Sequence, residues 1–185
     1  MSYYSKIRDL KINSILNNTE FKVDENRLSE YKDTLKFLYK EFPKNTIITG
    51  SLSLYLYGLI DRRPKDIDIL IDESVKMKWA PYVSYGYGKN INNNCFKNRL
   101  GEKYFKVGFF PFRKKYTIDF FIKNDEKYKS FDFNGAQINI SFPIDVISKK
   151  VEFLNILIEK NLYFPVNVEL KHRDDIDKAF SRLAI

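Results

Sequence analysis

The sequence predicts an α+β fold, a mixed β-sheet core with helices before and after it. Three observations carry this expectation. Apolar residues recur at helical spacing at both ends of the chain. Two apolar strands flank a helix that opens on Gly50-Ser51, and the centre is a series of short β-type runs separated by turn residues.

Taken in order, residues 5–18 and 25–42 each read as a helix. The second carries Leu28, Tyr31, Leu35, Leu38 and Phe42 on one face, and Pro43 with Lys44-Asn45 ends it. Thr46-Ile47-Ile48-Thr49 is a short strand, Gly50-Ser51 a turn, and Leu52, Tyr55, Leu56 and Leu59 one face of the next helix, with Gly58 near its end. From 66 to 72 acid and isoleucine alternate. Ile67, Ile69 and Ile71 fall on one face and Asp66, Asp68 and Asp72 on the other, which predicts a half-buried strand. Trp79 to Asn98 is polar and rich in Tyr, Gly and Asn, and reads as mostly loop, with Gly86 and Gly88 supplying flexibility. Lys103–Phe110 and Tyr116–Lys123 read as a hairpin around a connection that contains Pro111, and Phe131–Ile140 as another around Asn134-Gly135. Pro143 opens a helix through Val146, Ile147, Val151, Leu154 and Leu157. A last helix is expected from about Asp174 to Leu183, with Asp174 and Asp175 at its N-terminal end. The organisation is N-terminal helices over 1–45 packed on a core at 46–142, followed by a helical part at 143–185.

At 185 residues the chain is long enough to bury a core. Its 32 Lys+Arg against 24 Asp+Glu give a net charge of +8 and a pI near 9.3, which points to an anionic partner such as a nucleotide or nucleic acid. A single cysteine, Cys95, excludes a disulfide framework and a cysteine-based metal cluster, and suits a reducing cytoplasm. No apolar run approaches the roughly 20 residues of a membrane span. The opening MSYYSKIRDLKINS lacks the apolar stretch of a signal peptide, so a cytoplasmic location away from membranes is expected.

Two aspartates two residues apart in an Ile/Leu-rich strand are either a solvated face or a site. On a strand they project the same way, roughly 6.6–7 Å apart, within reach of one shared divalent cation. Gly50 lets backbone approach a phosphate, and Ser51, at the start of its helix, offers a hydroxyl as phosphate ligand or cap. Asp119, in the middle of the apolar run Thr117-Ile118-Asp119-Phe120-Phe121-Ile122, is a third carboxylate that is costly there unless paired or metal-bound. The charges ahead of the acids, Arg62, Arg63 and Lys65, are solvated loop residues or triphosphate contacts. His172-Arg173-Asp174 resembles a protein-kinase catalytic loop, but no Asn, Asp-Phe-Gly or Gly-rich loop stands at the required spacing.

An apolar strand, Gly50-Ser51, a helix, Asp66-Ile67-Asp68 and the later Asp119 together resemble the nucleotidyltransferase superfamily related to polymerase β. Asp61-Arg62-Arg63-Pro64-Lys65 before the acids resembles the minimal, AbiEii-like toxin branch of it. Lys149 or Lys150, and the stretch Lys171 to Asp175, are similar to that branch's later lysine and its basic-acidic tail. The resemblance covers residues 46–123 and, more loosely, 143–180. It implies a nucleotidyltransferase core in which Asp66, Asp68 and Asp119 hold Mg²⁺ or Mn²⁺ and act in catalysis. Gly50, Ser51, Arg62, Arg63, Lys65, Lys149 and Lys150 would bind the NTP. The acceptor hydroxyl would lie on RNA such as tRNA, a small molecule or a protein, and the toxin branch implies an antitoxin partner. The competing expectation is a catalytically inactive protein of the same fold that binds nucleic acid or protein.

Overall fold

The apolar run at 47–49 and the alternating run at 66–71 pair with each other at the centre of one mixed sheet. The computed structural model describes residues 21–41, 46–71, 83–84, 89–92, 95–97, 103–107, 117–122, 127–159 and 165–183. β1 (Ile47–Thr49) and β2 (Asp66–Ile71) run antiparallel, with Thr49 opposite Asp68. On the far side of β2 lies β7 (Thr117–Ile122), parallel and in register, so that Asp68 faces Asp119 and Leu70 faces Phe121. Antiparallel strands extend that edge through β6 (Lys103–Val107), β5 (Cys95–Lys97) and β4 (Lys89–Asn92), while β3 (Val83–Ser84) also pairs with β6. On the far side of β1, β9 (Ala136–Ser141) is parallel to it and forms a hairpin with β8 (Tyr128–Phe133). Asn134 and Gly135 turn that hairpin with φ of 54° and 77°, the left-handed pair that an Asn-Gly turn supplies.

Five helices are described. α1 (Glu25–Ser29) starts at Asp24, whose carboxylate accepts from the backbone N–H of Asn26 and Arg27. α2 (Lys32–Glu41) follows after a turn. α3 (Gly50–Leu56) is buried on all sides and ends at Gly58, whose φ of +73° suits glycine. α4 (Pro143–Glu159) carries proline in its first position, where the missing N–H costs nothing. α5 (Val166–Leu183) lies against α4. One core cluster joins Leu28 and Leu35 of the first helices, Leu52 of α3, Ile67 and Ile69 of β2 and Phe120 of β7. It continues into Leu154 of α4 and Ile176 of α5. The fold is α+β, as expected. No helix among the described residues is long and apolar enough to cross a membrane.

The structure corrects four expectations. The helix expected over 25–42 is two helices, because the turn at Glu30-Tyr31 lets the Tyr31 ring enter the core and its hydroxyl donate to the Pro64 carbonyl. The loop expected over Trp79–Asn98 contains β3, β4 and β5. β3 and β5 pair with β6 and β4 pairs with β5, and this pairing gives strand geometry to a stretch whose Ser, Asn and Lys residues have low β-propensity of their own. The last helix begins at Val166 rather than near Asp174, its N–H groups at 168 and 169 donating to the Pro165 carbonyl. Asp174 and Asp175 therefore sit in mid-helix; the polar residues on the inward face hid the first two turns. Ser51 does not cap its helix. Thr49 occupies the cap position, without a side-chain capping bond. The helix expected over 5–18, the connection through Pro111, and Phe42, Asp72, Gly86 and Gly88 lie outside the described residues.

Candidate active site

Strand register builds the floor of a cleft. In a parallel pair, residues at matched positions share a face, so Asp68 and Asp119 stand side by side, with Asp66 on the same face two residues earlier on β2. The next row along is Leu70 and Phe121, which makes the floor apolar beyond the acids. Crowding shows in the chemistry of Asp68. Burial first, then Asp66 and Asp119, push its carboxyl up to about 8, against the opposing pull of Lys150 and Lys171.

Gly50 sets how closely Asp68 approaches the turn into α3. With φ of +64°, it places its bare Cα against the aspartate. A Cβ there would fall 1.9 Å from Asp68 Oδ2 and within 2.9 Å of its Cγ and Cβ.

The two C-terminal helices form the opposite wall. Val146, Lys149, Lys150 and Phe153 follow the i, i+3, i+4, i+7 stripe of α4, and Val168, Lys171 and His172 begin the same stripe on α5. Together with Thr49, Gly50, Ser51, Asp66, Asp68, Leu70 and Phe121 they enclose about 270 Å³. Acids thus line one side and three lysines the other. One pair already crosses the cleft, Lys171 Nζ lying 3.8 Å from Asp66 Oδ1.

Behind the lysines lies a buried polar hub. Asp175, fully buried, accepts from Arg62 Nε at 2.7 Å, from Arg62 Nη2, from Lys150 Nζ at 3.1 Å and from Ser51 Oγ at 3.0 Å. The Ser51 hydroxyl also accepts from Lys150 at 3.0 Å and Arg62 at 2.8 Å. Its one donor and both lone pairs are thereby used. In this structure the serine expected to hold a phosphate orients two cations. Lys150 completes its three donors with His172 Nδ1 at 3.3 Å. Burial lowers the pKa of the Lys150 amine, against the opposing pull of Asp175 and Asp68. For Asp175, burial alone would raise the carboxyl, but Lys150 and Arg62 hold it below the usual carboxylate range.

Of the residues singled out in the sequence, Gly50, Ser51, Asp66, Asp68, Lys149 and Lys150 line the cleft, and Asp119 joins the acids through register. Arg62 turns into the hub. Arg63 lies 3.2 Å from Glu30 and beside the Tyr31 ring, directed at α1, and Lys65 is exposed outside the cleft lining. Among the described residues no three His, Cys, Asp or Glu side chains form a closed metal-holding group. The acids share a face without making a complete ligand set. No family model, curated protein or solved structure matches the chain. Asp175 and His172, noted in the sequence only within the Lys171 to Asp175 stretch and at an expected helix start, are not among the site residues expected from it, and the structure places both beside the cleft. The signal was an acid at a position of α5 where helical periodicity calls for an apolar residue, legible only once the helix is known to start at 166.

His172 gives a pH test of this packing. Burial, then the Lys150 and Lys171 cations, push its imidazole down to about 3 from the ordinary 6.5. The folded chain therefore excludes a proton that the unfolded chain takes up. The histidine's contribution is complete above pH 6.5 and is lost as pH falls toward 3. In urea titrations at a series of pH values, His172→Gln should flatten the loss of stability across that window; a slope equal to the parent's would contradict the assignment.

Proposed function

We propose that the chain is a metal-dependent nucleotidyltransferase that moves a nucleoside monophosphate from an NTP to an acceptor hydroxyl. The observation that supports this most is the register of Asp68 with Asp119 on parallel strands beside Asp66, in a cleft whose other wall carries Lys149, Lys150 and Lys171. The three carboxylates would hold Mg²⁺ or Mn²⁺. They are hard oxygen donors on one face, and Asp68, raised by burial first and then by Asp66 and Asp119, is a carboxylate whose charge a bound cation would compensate. When bound, the ion supplies neutralisation of the charge that builds on the phosphate oxygens.

The chain's own residues do the rest. Lys149 and Lys171, with Lys150 behind them, hold the triphosphate against the acidic floor. Asp119 orients the acceptor hydroxyl and takes its proton as the new O–Pα bond forms and the bond from Pα to the bridging oxygen breaks. Pyrophosphate leaves. Catalysis here is mostly positioning, which a cleft built on strands and two packed helices provides. The net charge of +8 favours RNA as the acceptor over a small molecule or a protein hydroxyl. The single cysteine and the opening residues without an apolar stretch support a cytoplasmic setting, and the resemblance to the toxin branch supports an antitoxin partner.

One observation favours the second reading, an inactive binding module: Lys171 already pairs with Asp66, and the hub leaves Ser51 no free valence. Thermal unfolding separates the two. A working site gains stability with Mg²⁺ or Mn²⁺ by mass action, and more with NTP. Asp119→Asn should keep most of the NTP-dependent shift and lose most of the transfer rate, roughly 10²-fold or more, because the acceptor loses its base. An inactive module shows no metal-dependent shift, and transfer at the parent rate in Asp119→Asn would remove Asp119 from the mechanism.

A further inference from the structure

The cleft has an aromatic end that the proposed chemistry does not use. Phe153 of α4 and His172 of α5 lie with ring centroids 5.1 Å apart, tilted 53° to each other, and Val168 lies one turn before His172 on α5. All three are half-buried and line the cleft. The pair abuts the basic wall directly, since Lys150 Nζ lies 3.3 Å from His172 Nδ1 and Lys171 immediately precedes His172 in the chain. Lys150 already spends its other donors on Asp175 and Ser51, so its bond to Nδ1 makes that nitrogen the acceptor and leaves the ring proton on Nε2. The imidazole is thereby fixed as a neutral ring with one remaining donor. A rigid, uncharged aromatic edge beside phosphate-binding lysines suits a flat heteroaromatic group attached to a polyphosphate.

We propose that Phe153, backed by His172 and Val168, is the nucleobase subsite, on which the base of the NTP stacks while its phosphates lie along Lys171 and Lys149. This rests on the nucleotidyltransferase reading and adds the direction of the substrate: base toward the two C-terminal helices. The floor of the cleft on β7, where Phe121 follows Asp119 on the same face, is left for the acceptor.

The test is a set of binding titrations on the full chain with Mg²⁺, using each of the four NTPs and inorganic tripolyphosphate, which has the charge but no base. The parent should bind its preferred NTP about tenfold or more tighter than tripolyphosphate, the scale of one stacked base. Phe153→Ala should erase that preference and leave tripolyphosphate affinity unchanged, which also reports an intact fold. Because Phe153 packs against the core, Phe153→Leu and Phe153→Tyr separate bulk from stacking. Leucine should lose the preference and tyrosine should keep it. An NTP-to-tripolyphosphate ratio that stays the same in Phe153→Ala overturns the subsite while leaving the nucleotidyltransferase reading standing. Failure of the parent to bind either probe overturns both.

Discussion

Gly50→Ala is expected to remove both stability and activity. The added methyl would land 1.9 Å from Asp68 Oδ2 and 2.9 Å from Asp68 Cβ, so rotation of the carboxylate alone cannot relieve the contact and backbone must move. The left-handed φ of +64° adds strain of its own. Strain of about 1–2 kcal/mol and overpacking of about 1–3 kcal/mol together give a loss of about 2–5 kcal/mol, read by denaturant unfolding. Pairing it with Asp68→Gly tests the cause. That change deletes the side-chain atoms the methyl meets, so the steric share of stability should return while transfer stays absent. If Gly50→Ala alone is as stable as the parent, Gly50 is not the close-approach point described.

Asp175→Ala should have an effect of the same order from a different source. The carboxylate is fully buried and faces both Arg62 and Lys150. Its removal leaves two cations and the Ser51 hydroxyl around an empty position. Breaking one partner out of a buried ionic cluster costs about 3–5 kcal/mol, because the remaining charges are uncompensated. Stability should therefore fall sharply at neutral pH. The pH dependence carries the sign. The folded Asp175 carboxyl lies below its ordinary value of 3.8, so its contribution is complete above 3.8 and is lost as pH falls through the folded value. The gap between Asp175→Ala and the parent should close in acid. A gap that does not narrow there would mean that Asp175 acts through packing and not through its charge.

How much of this was legible in the sequence depends on the range of the interactions. Periodicity placed β1, β2, β7, α3 and α4 to within a few residues, since each carries its own apolar pattern. It also put Asp66 and Asp68 on one face, because alternation is a property of the strand alone. The proximity of Asp119 to them was an expectation that only parallel register could supply. Tertiary pairing decided β3, β4 and β5, short strands in which Ser, Asn and Lys dilute the local strand signal of Val83 and Phe96. The hub is the clearest case of what a one-dimensional reading misses. Ser51, Arg62, Lys150 and Asp175 come from four separate stretches, and no local pattern says that a serine after a glycine spends its hydroxyl on two cations 11 and 99 residues away.

The proposed nucleotide transfer depends on the acids of β2 and β7 facing the lysines of α4 and α5 across one cleft. The purified chain is incubated with each α-labelled NTP, Mg²⁺ or Mn²⁺ and, in turn, total RNA, total protein and a small-molecule extract, beside Asp66→Asn and Asp68→Asn variants whose fold is verified by thermal unfolding. Label from at least one NTP should appear covalently on an acceptor only when metal is present, with release of pyrophosphate, and should be lost in both variants. Transfer that persists at the parent rate in Asp68→Asn, or no transfer from any NTP to RNA, small-molecule or protein acceptors, would contradict the proposed transfer.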